Sequence, residues 1–206
     1  MTLKIGVLAS HGGSNMQAII DNIESGALDA EIVVVISNNS KSGALERARR
    51  HALPWAHLSG ATHPDPANLD AAILERLQEG GAELVVLAGY MKKIGAKTLG
   101  AFEGRMLNIH PALLPRHGGK GMYGIHPHEA ALAAGDPESG ASVHVVTAEY
   151  DQGPVVRQRR VPVLPDDTPP SLQQRVLVEE HRIYSDVIAD ILAGRLTLPL
   201  PTAKDA

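Results

Sequence analysis

Two rhythms of hydrophobic positions divide the chain. Continuous apolar runs stand at residues 32–36 and 84–88, as expected of strands buried on both faces, and Ile5, Val7 and Leu8 make a short apolar strand within 3–8. Between them, apolar residues stand three and four apart: Met16, Ile19, Ile20, Ile23 and Ala27, then Leu45 and Ala48, then Leu69, Ile73 and Leu77. Each set makes one apolar stripe, the pattern of a helix packed on a sheet. The first helix is expected to start at Ser14, with Ser14 and Gln17 as a capping box. The second spans 42–51, and the third stops at Gly80-Gly81. A short strand is expected at 54–58, and Met106, Leu107 and Ile109 read as the end of another. Further on, strands are expected at 141–146 and 155–163, a helix from His128 to Ala134, and a long helix over 171–192. The long helix carries Leu172, Val176, Ile183, Val187 and Ile191 on one stripe, with Glu179, Glu180 and His181 as surface charges.

This alternation predicts an α/β fold, a single doubly wound, mostly parallel, Rossmann-like sheet with an antiparallel C-terminal portion. One domain is expected over 1–196, followed by a short, loose, polar tail at 197–206. Its 206 residues can bury a sizeable core. Net charge is −4 and aromatic content 3%, which argues against a basic nucleic-acid surface and a base-stacking platform. There is no cysteine, hence no disulfide and no thiol nucleophile. No signal peptide or membrane-length apolar run is recognised. A cytoplasmic monomer or homodimer acting on small molecules is the expectation.

Ligands of such sheets sit at the carboxyl ends of the strands. Gly12-Gly13, Gly89-Tyr90-Met91 and Asn108 with His110 all fall there. The order strand, Gly12-Gly13-Ser14-Asn15, helix start makes an anion site of free N–H groups, or else a glycine-rich connection with no ligand. It matches neither the nucleoside-triphosphate loop nor the dinucleotide fingerprint. Asn108 and His110, two apart on a strand, share one face. They are either a strand-end pair bonded to turn and backbone, or a donor and a proton carrier for a reaction that forms an oxyanion. Asp151, in a Gly-Pro turn, is a turn residue unless it has a partner. The glycine-rich loop 116–125 is expected to be mobile. His126-Pro127-His128 has poor ligand spacing, and no metal is expected.

The run Asn108-Ile109-His110-Pro111 with Leu113-Leu114-Pro115, then Ser142-Val143-His144, then Asp151-Gln152-Gly153-Pro154-Val155, resembles the folate-dependent formyltransferases. The resemblance extends over most of the chain. Gly13-Ser14-Asn15 followed by Gln17-Ala18-Ile19-Ile20 is similar to the members of that family that act in purine synthesis. It implies direct transfer of a formyl group from 10-formyltetrahydrofolate, a co-substrate, to the amine of glycinamide ribonucleotide. Asn108, His110 and Asp151 are the implied catalytic residues, with a protonated His110 and Asn108 donating to the oxyanion. Gly12, Gly13, Ser14 and Asn15 would hold the ribose phosphate, and Glu180 the ribose. The implied folate pocket uses Met91, Lys92, Lys93 and Ile94, Asn108, and the stretch Thr147, Ala148, Glu149, Tyr150 and Asp151.

Some positions depart from the family pattern. Pro64-Asp65-Pro66 stands where an arginine often faces the folate glutamate tail, and Lys92-Lys93 replaces an arginine and an apolar residue. The loop 116–125 is longer, and Gln152 replaces a glycine. A formyltetrahydrofolate deformylase and a non-catalytic phosphate- or folate-binding module are the alternatives.

Overall fold

In chain order the elements are β1 (Leu3–Leu8), α1 (Ser14–Glu24), β2 (Ala30–Ser37), α2 (Gly43–Arg50), β3 (Trp55–His57), α3 (Pro66–Glu79) and β4 (Leu84–Leu87). Then come α4 (Ala96–Ala101), β5 (Met106–His110), α5 (His126–Ala133), β6 (Glu138–Val145), β7 (Val155–Pro162) and α6 (Pro169–Leu192). The computed structural model describes residues 2–202. All strands join one seven-stranded sheet in the order β3-β2-β1-β4-β5-β6-β7. β3 to β5 in that order are parallel, while β6 and β7 are antiparallel to their neighbours. The chain order reverses between β1 and β4, so the sheet opens a crevice at their carboxyl ends.

Both faces of the sheet are covered. One face packs on α1, α2 and α6 through residues such as Met16, Leu45, Val176 and Val187. The other packs on α3 and α4 through Ile73, Leu77 and Phe102. β1 shows the alternation that supplies both: Ile5 and Val7 join the first core, Leu8 the second. Tyr184 is fully buried on α6 and donates from Oη to the carbonyls of Leu107 (2.8 Å) and Leu87 (3.2 Å). That bond fixes the longest helix against the ends of β4 and β5, beneath the crevice. Removing the hydroxyl would lose a buried hydrogen bond shared by the two carbonyls, at a cost of about 0.5–1.5 kcal/mol.

Several local expectations change. α1 does begin at Ser14, but Gly13, in the left-handed region at φ 71°, occupies its cap and no side chain caps it. Gln17, expected in a capping box, instead bonds Asp21 and Arg47. α5 starts at His126, two residues before His128, because Pro127 fits a helix's first turn. α6 starts at Pro169, with Thr168 and Ser171 forming the capping box. α4 was not anticipated; its first-turn N–H groups, Lys97 and Thr98, are capped by the Asp70 carboxylate of α3, distant in sequence. Glu180 is buried rather than a surface charge. The segment read as a loose tail packs as far as Thr202: Leu200 is a core residue and its N–H bonds the Gly104 carbonyl at 2.7 Å. The rest of that tail lies outside the described residues. Among the described residues no helix is long and apolar enough to cross a membrane.

Candidate active site

A cavity of about 620 Å³ lies at the carboxyl ends of β1, β4 and β5. The residues implied as catalytic or binding line it: the 12–15 loop, 91–94, Asn108, His110, 147–151 and Glu180. Lys92 and Lys93 stand exposed at its rim. Ser10 ties two of these stretches together, its N–H on the Gly89 carbonyl and its Oγ accepting from Met91 N–H at 2.8 Å. His128, His144 and the loop 119–124 also line the cavity and were not among the predicted site residues. His144 had a signal: it pairs directly across from Asn108, as Ser142 does from His110.

The register of β5 on β6 builds the centre. Ser142 Oγ donates to the Ala112 carbonyl (2.6 Å) and accepts from Leu114 N–H (3.0 Å), which pins the turn that follows His110. His144 Nδ1 bonds the Val145 carbonyl at 3.0 Å. A carbonyl only accepts, so Nδ1 carries the hydrogen and Nε2 is left to accept. Asn108 Nδ2 stands 3.0 Å from that Nε2. One amide hydrogen of Asn108 is thus engaged and its second remains available.

By the same reasoning His110 Nε2, 2.8 Å from the His117 carbonyl, is a donor. Its Nδ1 faces Asp151 Oδ2 at 3.5 Å, and His144 Nε2 lies 3.5 Å from Asp151 Oδ1. Burial would raise the Asp151 carboxyl, yet it is held below the usual range, with the Gly119 N–H donating to Oδ2 at 2.8 Å. For His110 the balance runs the other way: burial lowers it, and the nearby Asp151 carboxylate does not fully compensate. Burial thus favours a neutral ring, and with the hydrogen on Nε2 its lone pair lies on Nδ1. Desolvation of the cation is the physical reason, and it bears on the ring before substrate binds.

At the other end of the cavity, Arg47 Nε bonds the Gly12 carbonyl (2.8 Å) and Ala44 N–H the His11 carbonyl (3.0 Å), so α2 holds the glycine loop in place. The first-turn N–H groups of α1 have no partner within the helix and lie at this wall. Asn15 Nδ2 donates to Glu180 Oε2 at 2.8 Å. Burial pushes the Glu180 carboxyl up, and the Asn15 bond only partly offsets it. Among the described residues no group of three or more His, Asp or Glu side chains is placed to hold a metal ion.

This fold and crevice match a known family. The formyl transferase model covers residues 3–188. The chain belongs to the formyl transferase family. The phosphoribosylglycinamide formyltransferase of Haemophilus influenzae is 40% identical over 95% of this chain and 90% of its own length. The chloroplastic phosphoribosylglycinamide formyltransferase of Arabidopsis thaliana is 39% identical over 94% of this chain. The chain spans 66% of that plant relative and 62% of the Vigna unguiculata one. Among solved structures, glycinamide ribonucleotide transformylase 1 from Symbiobacterium toebii superposes with a TM-score of 0.88 at 43% identity, over 96% of this chain and 91% of that one. A formyltetrahydrofolate deformylase from Pseudomonas syringae shares the formyl transferase fold at 24% identity and a TM-score of 0.85, over 96% of this chain and 64% of that one.

Proposed function

We propose that this formyl transferase moves the formyl group of 10-formyltetrahydrofolate to the amino group of glycinamide ribonucleotide. The observation that carries the reading is that one cavity joins an N–H-lined helix start, a proton-accepting His110 and a free Asn108 amide hydrogen. The first-turn N–H groups beside Gly12, Gly13 and Ser14 bind the phosphate. Glu180 accepts from ribose hydroxyls; ionised as a carboxylate it would repel a phosphate. The folate lies against 91–94 and 147–151, with Lys92 and Lys93 facing its glutamate tail.

The neutral amine attacks the formyl carbon, a C–N bond forms, and the carbonyl electrons move to oxygen. The second amide hydrogen of Asn108 donates to that oxyanion. His110 Nδ1 takes a proton from the new ammonium and becomes an imidazolium beside Asp151. The proton then passes to the folate N10 as its bond to carbon breaks. No covalent enzyme intermediate is needed. A cytoplasmic setting, with small molecules as partners, belongs to the same reading.

The test is formation of deformylated folate by purified protein with the ribonucleotide present or omitted. Product only in its presence is expected. Equal product without it would make water the acceptor and replace this reading by a deformylase; no product at all would leave a binding module.

A further inference from the structure

The turn after β5 carries a network that the reaction scheme leaves unused. The His117 carbonyl that receives His110 Nε2–H belongs to a residue held in the left-handed region, φ 53°. The His117 ring is itself anchored: its Nε2 lies 2.7 Å from Asp136 Oδ2, and Arg116 bonds the other oxygen of the same carboxylate. Asp136 is fixed just past α5, its N–H on the Ala131 carbonyl. Two residues beyond His117, the Gly119 N–H donates to Asp151 Oδ2, the oxygen that faces His110. Glycines at 118, 119 and 121 surround this point, so the backbone alone has little to keep it in one place.

Neutral His110 has two tautomers available, and they compete for different partners. With the hydrogen on Nδ1 it would donate to the Asp151 carboxylate, a charge-assisted bond. Its lone pair would then sit on Nε2, turned away from the cavity, and the ring could not accept the amine's proton. With the hydrogen on Nε2 it donates to the His117 carbonyl, and Nδ1 is the free base. The His117 carbonyl favours the second form. Gly119 already donates to the Asp151 oxygen that the first form would use, so that form would have to share it.

We propose that His117 and Asp136 are a positioning pair that holds the His117 carbonyl on His110 Nε2 and so fixes the tautomer with a free Nδ1. Neither residue touches substrate in this account; both act through the backbone between them and His110. The inference rests on the formyl-transfer reading for what the tautomer is used for, but not for its existence.

The test uses the full chain labelled with 15N-histidine, with the His110 resonances assigned through His110→Gln. His117→Asn tolerates a positive φ yet ends short of Asp136; His117→Gln keeps a donor near the place of Nε2. The wild type is expected to show His110 as the Nε2–H tautomer. In His117→Asn the Nδ1–H form becomes substantial and turnover falls about 10- to 100-fold, the range for lost supporting partners, while KM for both substrates changes by less than about threefold. His117→Gln recovers most of the turnover. If His117→Asn does not fold, Asp136→Asn, which removes the charge that anchors the ring, is read the same way. An unchanged His110 tautomer in a folded variant would overturn the proposal, whatever its activity. A wild type lacking transferase activity would instead sink the formyl-transfer reading, and the tautomer measurement would still decide this one.

Discussion

Replacing Asp151 by Asn tests the charge logic of the site most directly. The substitution keeps size and shape, and an amide oxygen can still accept the Gly119 N–H now 2.8 Å away. What it removes is a negative charge 3.5 Å from His110 Nδ1, with the two side chains only 4% and 10% exposed. Two unit charges at that distance attract by roughly 5 kcal/mol at an effective dielectric constant of about 20. In the resting enzyme His110 is neutral, so little of this is felt; it appears when Nδ1 takes the proton and the imidazolium forms. Desolvation of both ions and the dipole kept by the asparagine take back part. About 2–3 kcal/mol should remain, a loss of roughly thirty- to two-hundredfold in turnover. The proposed phosphate site lies at the far end of the cavity, so the KM for the ribonucleotide should move by less than about threefold. Initial rates of folate product formation, with both substrates varied, give the two numbers, and near-UV circular dichroism establishes that the variant is folded. Turnover within about threefold of wild type in a folded variant would refute the role given to the charge. A loss confined to KM would place Asp151 in binding instead.

Two other predictions address the ends of the site. Gly13→Ala puts a Cβ on a residue at φ 71° and within 3.0 Å of both Ala44 Cα and Cβ, so the glycine loop must shift. KM for the ribonucleotide should rise about tenfold or more with a smaller effect on kcat, and an unchanged KM would remove this loop from the phosphate site. His128 is fully buried with neither ring nitrogen bonded within the described residues, and burial, then nearby His110, pushes it down to about 4. Its folded value lies below its unfolded one, so the unfolded chain binds the extra proton. The stability it contributes is complete above about pH 6.5 and is lost as pH falls toward about 4, up to roughly 3 kcal/mol. Urea unfolding across that window should show a flatter pH dependence in His128→Leu than in wild type; equal slopes would contradict the assignment.

Much of the fold was legible because its strands and helices announce themselves by period. The apolar runs in β2 and β4, short and β-branched, read as strands, and the stripes of α1, α3 and α6 point to one face each. What local pattern cannot show is a helix stabilised from elsewhere. α4 has two glycines within or beside it and a short apolar content, and its cap is Asp70, 27 residues from Lys97. The cap of α1 failed for a related reason: Ser14 and Gln17 satisfy the motif, yet Gly13 reaches a left-handed turn that lets the loop close on Ala44. Leu200 was lost among prolines and polar residues, although it joins the core, its N–H meets the Gly104 carbonyl, and Leu198 packs beside it.

The site divides along the same line. Residue types and their strand spacing located Asn108 and His110, since period two on β5 obliges both side chains to share a face. The partners that set their chemistry come from other segments, and two of them are backbone atoms: the His117 carbonyl and the Gly119 N–H. A backbone group has no letter in a sequence, so no motif could reveal that Nε2 of His110 is the donor and Nδ1 the base. Protonation was invisible for a further reason. It is the outcome of opposed effects, burial against the Asp151 carboxylate, and the sequence names the carboxylate but not the depth of the ring. The two readings left open for Asn108 and His110, a pair satisfied by backbone or a pair prepared for catalysis, turn out not to exclude each other. His110 is bonded to backbone through one nitrogen, and that bond is what leaves the other free to take a proton.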